Sequence, residues 1–139
     1  MAFLGRVEED RIPTISGAIA TAVQDHVDFT VRLGALGAFP SVRRARVIWA
    51  GLDDATGGLA GLADSIGDVL ESLGFAREKR AFQPHVTLAR LRSPKPVELT
   101  VTPSPLPFPV ERISLFESRL RRPAPVYEEL ATFPFRRGS

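Results

Sequence analysis

The strongest periodicity in the chain is Leu59, Leu62, Ile66, Val69, Leu70 and Leu73, closed by Gly74. Residues three and four apart share one face of a helix, so this stripe predicts an amphipathic helix over about 59–73 with a glycine stop. Ile12, Ile15, Ile19, Ala22 and Val23 predict an earlier helix from about Asp10 to Gln24. Asp10 serves as its expected N-cap, and Pro13 is tolerated in the first turn. Elsewhere the period is two. Phe29-Thr30-Val31-Arg32-Leu33 alternates as a strand, and Gly34, Gly37 and Pro40 read as the loop behind it. Ala45 to Leu52 is apolar enough for a central strand.

Pro84-His85-Val86-Thr87-Leu88-Ala89-Arg90 alternates again, with Val86 and Leu88 expected to anchor it in a core. A short strand is expected at 97–101 and a proline-rich loop at 103–109. A final hairpin follows, its strands Val110–Leu120 and Val126–Phe135 joined by a turn at 121–125. The order helix, strand, strand, helix and four strands predicts an α+β fold, with helices packed on one side of largely antiparallel sheet.

Composition narrows the classes. The 139 residues suit one domain, and 44% hydrophobic residues can build a core. No apolar run approaches the roughly 18 residues that span a bilayer, and no basic-then-apolar leader opens the chain, so a soluble, cytoplasmic protein is expected. The absence of Cys excludes disulfides, cysteine nucleophiles and thiolate metal sites. The net charge of +2 is unevenly distributed. Asp53, Asp54, Asp64, Asp68 and Glu71 fall in a stretch without a single cation. Arg77, Lys79, Arg80, Arg90, Arg92 and Lys95 then bracket the His85 strand. Such a zone is most often a solvated face, and otherwise a footprint for phosphate or RNA.

The candidate chemistry centres on His85. On a strand, His85 and Thr87 share a face, setting a proton carrier beside a hydroxyl donor, a pair suited to an anionic group such as a phosphate. As a three-residue motif it is weak, and taken alone it is better explained by a core histidine bonded to a backbone carbonyl. Strand parity puts Arg90 on the opposite face unless a bulge intervenes. Phe82 is read first as a core aromatic. His26, flanked by Asp25 and Asp28, is read as an exposed linker residue rather than a metal ligand.

The wider context of the motif resembles a known family. Phe75, Glu78, Arg80, Phe82, Pro84, His85, Thr87, Leu88, Ala89 and Arg90 together resemble the second signature of the two-histidine phosphoesterases. More closely, the chain looks like the RNA 2',3'-cyclic phosphodiesterases, also called 2'-5' RNA ligases. Leu36-Gly37-Ala38-Phe39-Pro40 followed by Arg46-Val47-Ile48-Trp49 is similar to the family's Phe-Pro turn and next strand. Leu115-Phe116-Glu117-Ser118 and Tyr127-Glu128-Glu129-Leu130 are similar to its last hairpin, and Phe3-Leu4-Gly5 to the end of its first signature.

The resemblance implies an α+β fold of two lobes around a cleft, with largely antiparallel sheets, helices on the outside and one His-x-Thr per lobe. The implied reaction is hydrolysis of RNA 2',3'-cyclic phosphate ends, or of 2',3'-cyclic nucleotides, to 2'-phosphomonoesters. No cofactor, metal, membrane or obligate protein partner is implied. One histidine activates water and the other protonates the departing 3'-oxygen. Carried over, His85 is the general base, Thr87 binds the phosphate, Arg90 is a second phosphate contact, and Phe82 lines the cleft or stacks a base.

The first His-x-Thr, with its strand, helix and strand, would fall before residue 1. Residues 1–139 are therefore expected to be a single domain without its N-terminal part, its start displaced or clipped. If the short chain is itself the native form, a catalytically impaired RNA-binding module is the alternative. A 2'-5' RNA ligase, running the same site in reverse, is another.

Overall fold

The computed structural model describes residues 2, 4–100, 103, 106–119 and 124–138. Phe3, Val101, Pro105, Leu120 and the Arg121-Arg122-Pro123 turn, all used in the sequence reading, lie outside the described residues. The elements are α1 (Ile12–Val23), β1 (Phe29–Phe39), β2 (Ala45–Asp53), α2 (Gly58–Ser72), β3 (His85–Lys95), β4 (Pro107–Val110), β5 (Arg112–Arg119) and β6 (Val126–Pro134). The α+β order is as expected. A 3-10 turn at Glu9–Arg11 leads into α1, so Arg11, without a side-chain cap, stands where Asp10 was expected. The chain forms two compact units, residues 1–29, 61–80 and 110–139 in the first, and 30–60 and 81–109 in the second.

The first unit holds the main core. Ile15, Ile19 and Val23 present one stripe of α1, and Leu62 and Leu70 one stripe of α2. They pack with Phe133 and Phe135 and with the inner face of the antiparallel β5–β6 hairpin, including Ile113, Leu115 and Ala131. The helical stripes and the period-2 face meet because each buries apolar area that it could not bury alone. Helix α2 ends as its glycine predicted. Gly74 has φ +95°, its N–H donates to the Glu71 carbonyl, and the Phe75 N–H donates to that of Leu70 at 2.9 Å. Two arginines of this unit are paired internally. Arg77 bonds Asp68 and lies 3.4 Å from Asp64, and Arg119 joins Glu117 at 3.0 Å to Glu128 at 3.3 Å. The Asp68 carboxylate raises the Arg77 pKa above its usual value.

His26 also belongs here and is not the exposed linker residue expected. It is half-buried, its Nε2 lies 3.1 Å from Ser65 Oγ, and its ring packs beside Phe135. Its neighbour Val27 forms an isolated bridge with Arg136, which brings the histidine against the C-terminal segment.

The second unit is built on a four-stranded sheet in the order β3-β2-β1-β4. Strand β1 does not stop at Leu33. It runs on through Gly34 and Gly37 to Phe39, absorbing one extra residue in a bulge between Leu33 and Leu36. The expected strand at 97–100 is absent. Residues 107–109, read as proline loop, join Val110 in β4 instead, at a sheet edge where prolines are tolerated.

Candidate active site

Strand β3 is the other edge of that sheet, and its pairing with β2 arranges the candidate residues. Gly51 lies opposite His85, Ala50 opposite Val86, and Trp49 opposite Thr87. The register then slips. Ile48 faces Ala89 and Val47 faces Arg90, leaving Leu88 as an extra residue. Along β2, Val47, Trp49 and Gly51 share one face, and directly paired residues share a face across strands. His85, Thr87 and Arg90 are therefore on one face. The bulge at Leu88 reverses the parity that would otherwise have turned Arg90 away.

The same edge position overturns another expectation. Val86 is 40% and Leu88 54% exposed, so neither anchors the strand in a core. What holds β3 is its pairing with β2, extended by the Leu52 N–H donating to the Pro84 carbonyl at 3.0 Å. Phe82 is 45% exposed and is not a core aromatic. It stands in the segment leading into β3, where it is open to solvent.

The imidazole of His85 is held on two sides. Its Nδ1 lies 2.7 Å from the Gln83 carbonyl oxygen. A carbonyl only accepts, so Nδ1 carries the proton, and Nε2 is left to exchange one with a substrate or water. Beside it stand two aromatic rings that the sequence reading left out of the site. Phe39 meets His85 edge-on at 5.5 Å, and Trp49 meets it at 6.1 Å and 62°. Phe39 and Trp49 also pack on each other at 5.1 Å. All three sit on the face defined by Val47 and Gly51, since Phe39 pairs with Val47.

The indole lies directly over Gly37, where an added Cβ would come within 2.2 Å of the ring. The glycine in mid-strand is there to admit the tryptophan. The Trp49 indole N–H is buried without an acceptor among the described residues. An orphan donor of this kind costs about 1–3 kcal/mol, which ring packing must offset. Only the pairing of Gly37 with Trp49 could have revealed this cluster, and that pairing is a matter of register.

The basic zone that brackets the motif in sequence is divided in space. Arg77, Lys79 and Arg80 belong to the first unit, and Arg77 is engaged by α2 carboxylates. Arg90, Arg92 and Lys95 stay with the His85 strand. Among the described residues no group of three or more His, Asp or Glu is arranged to hold a metal, and no helix is long and apolar enough to cross a membrane.

An imidazole with Nδ1 held on a carbonyl, a hydroxyl two residues on and a guanidinium on the same face can hold an anionic phosphoryl group and pass a proton to or from it. Comparison with known proteins places the chain in a family. A family model of the 2'-5' RNA ligase superfamily matches residues 2–122. The RNA 2',3'-cyclic phosphodiesterase of Aeropyrum pernix is 34% identical over 94% of this chain and 77% of its own. That of Archaeoglobus fulgidus is 30% identical over 96% and 76%. A crystal structure from Thermus thermophilus superposes with a TM-score of 0.79 at 30% identity, over 99% of this chain and 76% of that one. E. coli LigT complexed with 3'-AMP superposes with a TM-score of 0.78 at 26% identity, over 96% and 74%. The chain belongs to the 2'-5' RNA ligase superfamily, and its fold is that of the two-histidine phosphoesterases.

Proposed function

We propose that this protein is a hydrolase of RNA 2',3'-cyclic phosphate ends, acting through His85. The carrying observation is the geometry of His85. Its Nδ1 proton is fixed on the Gln83 carbonyl, which leaves Nε2 facing outward beside Thr87. As general base, Nε2 takes a proton from water as the water oxygen attacks phosphorus. The bond from phosphorus to the 3'-oxygen breaks, the 3'-oxygen takes up a proton, and a 2'-phosphomonoester with a free 3'-hydroxyl results. Thr87 donates its hydroxyl to a phosphoryl oxygen, and Arg90 opposes the growing negative charge. Exposed Phe82 offers a ring on which the terminal base stacks.

The resemblance assigns protonation of the 3'-oxygen to another His-x-Thr, and residues 1–139 contain one such motif. The substrates are RNA ends or 2',3'-cyclic nucleotides. The reading is of a cytoplasmic enzyme without an obligate protein partner, residues 1–139 serving as one domain. It is supported by the family, by named relatives that are RNA 2',3'-cyclic phosphodiesterases, and by the shared face of His85, Thr87 and Arg90.

The test is hydrolysis of 2',3'-cyclic AMP by the 139-residue chain, with 2'-AMP as the product followed by chromatography. His85→Ala is expected to lower the rate by about 10²–10⁴-fold, the usual contribution of a positioned acid or base. Equal rates for the two proteins would overturn the assignment.

A further inference from the structure

Phe39 at the end of β1 and Trp49 in β2 converge on His85, although neither takes part in the chemistry proposed for it. The sheet around them is shaped to admit the indole. Gly37 lies directly opposite Trp49, and the six-membered ring of the indole fills the space a Cβ would need, within 2.2 Å. Gly51, two residues on and opposite His85, is a second gap, where a Cβ would stand 3.8 Å from indole Cζ3. The ring therefore spans from Gly37 to Gly51 on the face that carries His85. This fit works against stability twice. The indole N–H is buried with no acceptor among the described residues, and a glycine in mid-strand loses more chain entropy on folding than any other residue. Phenylalanine at position 49 would fill much of the space without stranding a donor. An indole kept in spite of both points to a use at the histidine it touches.

We infer that Trp49, braced by Phe39, is the positioning residue of His85. The two rings hold the imidazole in the orientation in which Nδ1 reaches the Gln83 carbonyl and Nε2 is left for the reaction. The inference rests on the reading of His85 as general base and adds the means by which that base is held. The need for a brace follows from where His85 stands. It is exposed, on an edge strand whose neighbouring Val86 and Leu88 are themselves exposed, so no core packing fixes it. Its bond to Gln83 competes with water, which weakens the hold of a single contact. The ring contacts supply the rest. Phe39 meets the imidazole at 5.5 Å and 85°, Trp49 at 6.1 Å and 62°, the edge-to-face geometry in which aromatic pairs attract. Phe39 and Trp49 lie 5.1 Å apart, so the three rings close a triangle and no one of them moves alone. Orientation matters because a misplacement of about 1 Å at a reacting group can cost on the order of a hundredfold in rate.

The experiment compares Trp49→Ala, Trp49→Phe and Phe39→Leu with the unaltered 139-residue chain in two readouts. The first is the nitrogen NMR spectrum of the neutral imidazoles, which reports the nitrogen that carries the proton. The chain has two histidines, and His26, beside Ser65 in the other unit, is the internal control. The unaltered chain should show His85 protonated at Nδ1. In Trp49→Ala the His85 signals should move toward the tautomer mixture of a free imidazole while those of His26 stay in place. The second readout is hydrolysis of 2',3'-cyclic AMP. Trp49→Ala should lower kcat by about 10–100-fold with KM within about twofold, because the indole orients the base rather than the substrate. Trp49→Phe restores a ring and should recover most of kcat. Phe39→Leu, at a position 37% exposed, should lower kcat by about three- to tenfold and decides the matter if Trp49→Ala does not fold. Unmoved His85 signals with unchanged kcat would overturn the assignment, as would a loss expressed in KM alone. The two readings fail separately. Full hydrolysis by His85→Ala removes the catalytic assignment, whereas the ring signals decide the positioning whatever the rate.

Discussion

The two units divide the work of the molecule. The first contains the helices, the hairpin and most of the buried apolar side chains, and two of its arginines, Arg77 and Arg119, are met by its own carboxylates on α2 and on the β5–β6 hairpin. The second contains the sheet with His85, and of its large side chains only Val31 is nearly inaccessible. Among its described residues Arg43, Arg44, Arg46, Arg90, Arg92 and Lys95 form no ion pair. Charges that are paired inside a protein add little beyond local order. Charges left unpaired on a rigid sheet remain available to a polyanion. A strand whose side chains are almost all exposed is poor material for a core and good material for a site. The contrast teaches that stability and chemistry here draw on largely separate sets of residues.

Substitutions can break that separation or sharpen it. The largest expected effect on stability is in the first unit. Ile15 is 1% exposed in the core cluster, and Ile15→Ala should reduce unfolding free energy in urea by about 2–5 kcal/mol. His85→Ala, at an exposed position, should leave the same midpoint unchanged. Should the two variants prove equally destabilised, the division fails.

Gly37→Ala probes the one place where packing and chemistry meet. Its Cβ would press into the Trp49 ring, and overpacking of this kind costs about 1–3 kcal/mol. The displaced indole should change the Trp49 emission and lower the hydrolysis rate through the His85 ring it touches. A normal rate with a shifted emission spectrum would show that the aromatic pair does not position the histidine.

Glu129→Gln tests the hydrogen-bonded carboxylate of the hairpin and should have the smallest effect. Hydrogen bonds from Ser114 at 2.6 Å and Thr132 at 2.7 Å hold the Glu129 pKa below its usual value. A depressed carboxylate pKa adds stability above the unfolded value, and that stability is lost as pH falls through the folded one. The wild-type chain should therefore melt slightly higher than Glu129→Gln near pH 6, and the difference should vanish in strong acid. A gap that widens on acidification would contradict the assignment.

Much was legible in the residues themselves. The two apolar stripes gave both helices because a 3.6-residue period leaves one solution for burying them. Gly74 marked its helix end because a left-handed residue is needed there. The His85 motif and its neighbours carried the family, since a reaction needs particular side chains and those are written in the chain directly. Pairing register is different, because it depends on which strand lies alongside. That is why β1 was read as stopping before Gly34, and why Trp49 and Phe39 went unrecognised as companions of His85.

The opening interest of the chain, His85-Val86-Thr87-Leu88, shows both halves. From sequence alone came the histidine, the hydroxyl two residues on and their common face, all consequences of the two-residue period of a strand. Only the tertiary structure decided that β3 lies at an edge, so that Val86 and Leu88 face solvent. It also decided that a bulge at Leu88 turns Arg90 to the histidine's side, and that Arg77 pairs with α2 while Arg43, Arg44 and Arg46 lie close to Lys95. The physical reason is that periodicity is a property of neighbours along the chain, whereas edges, bulges and charge partners are set by residues that folding brings in from elsewhere.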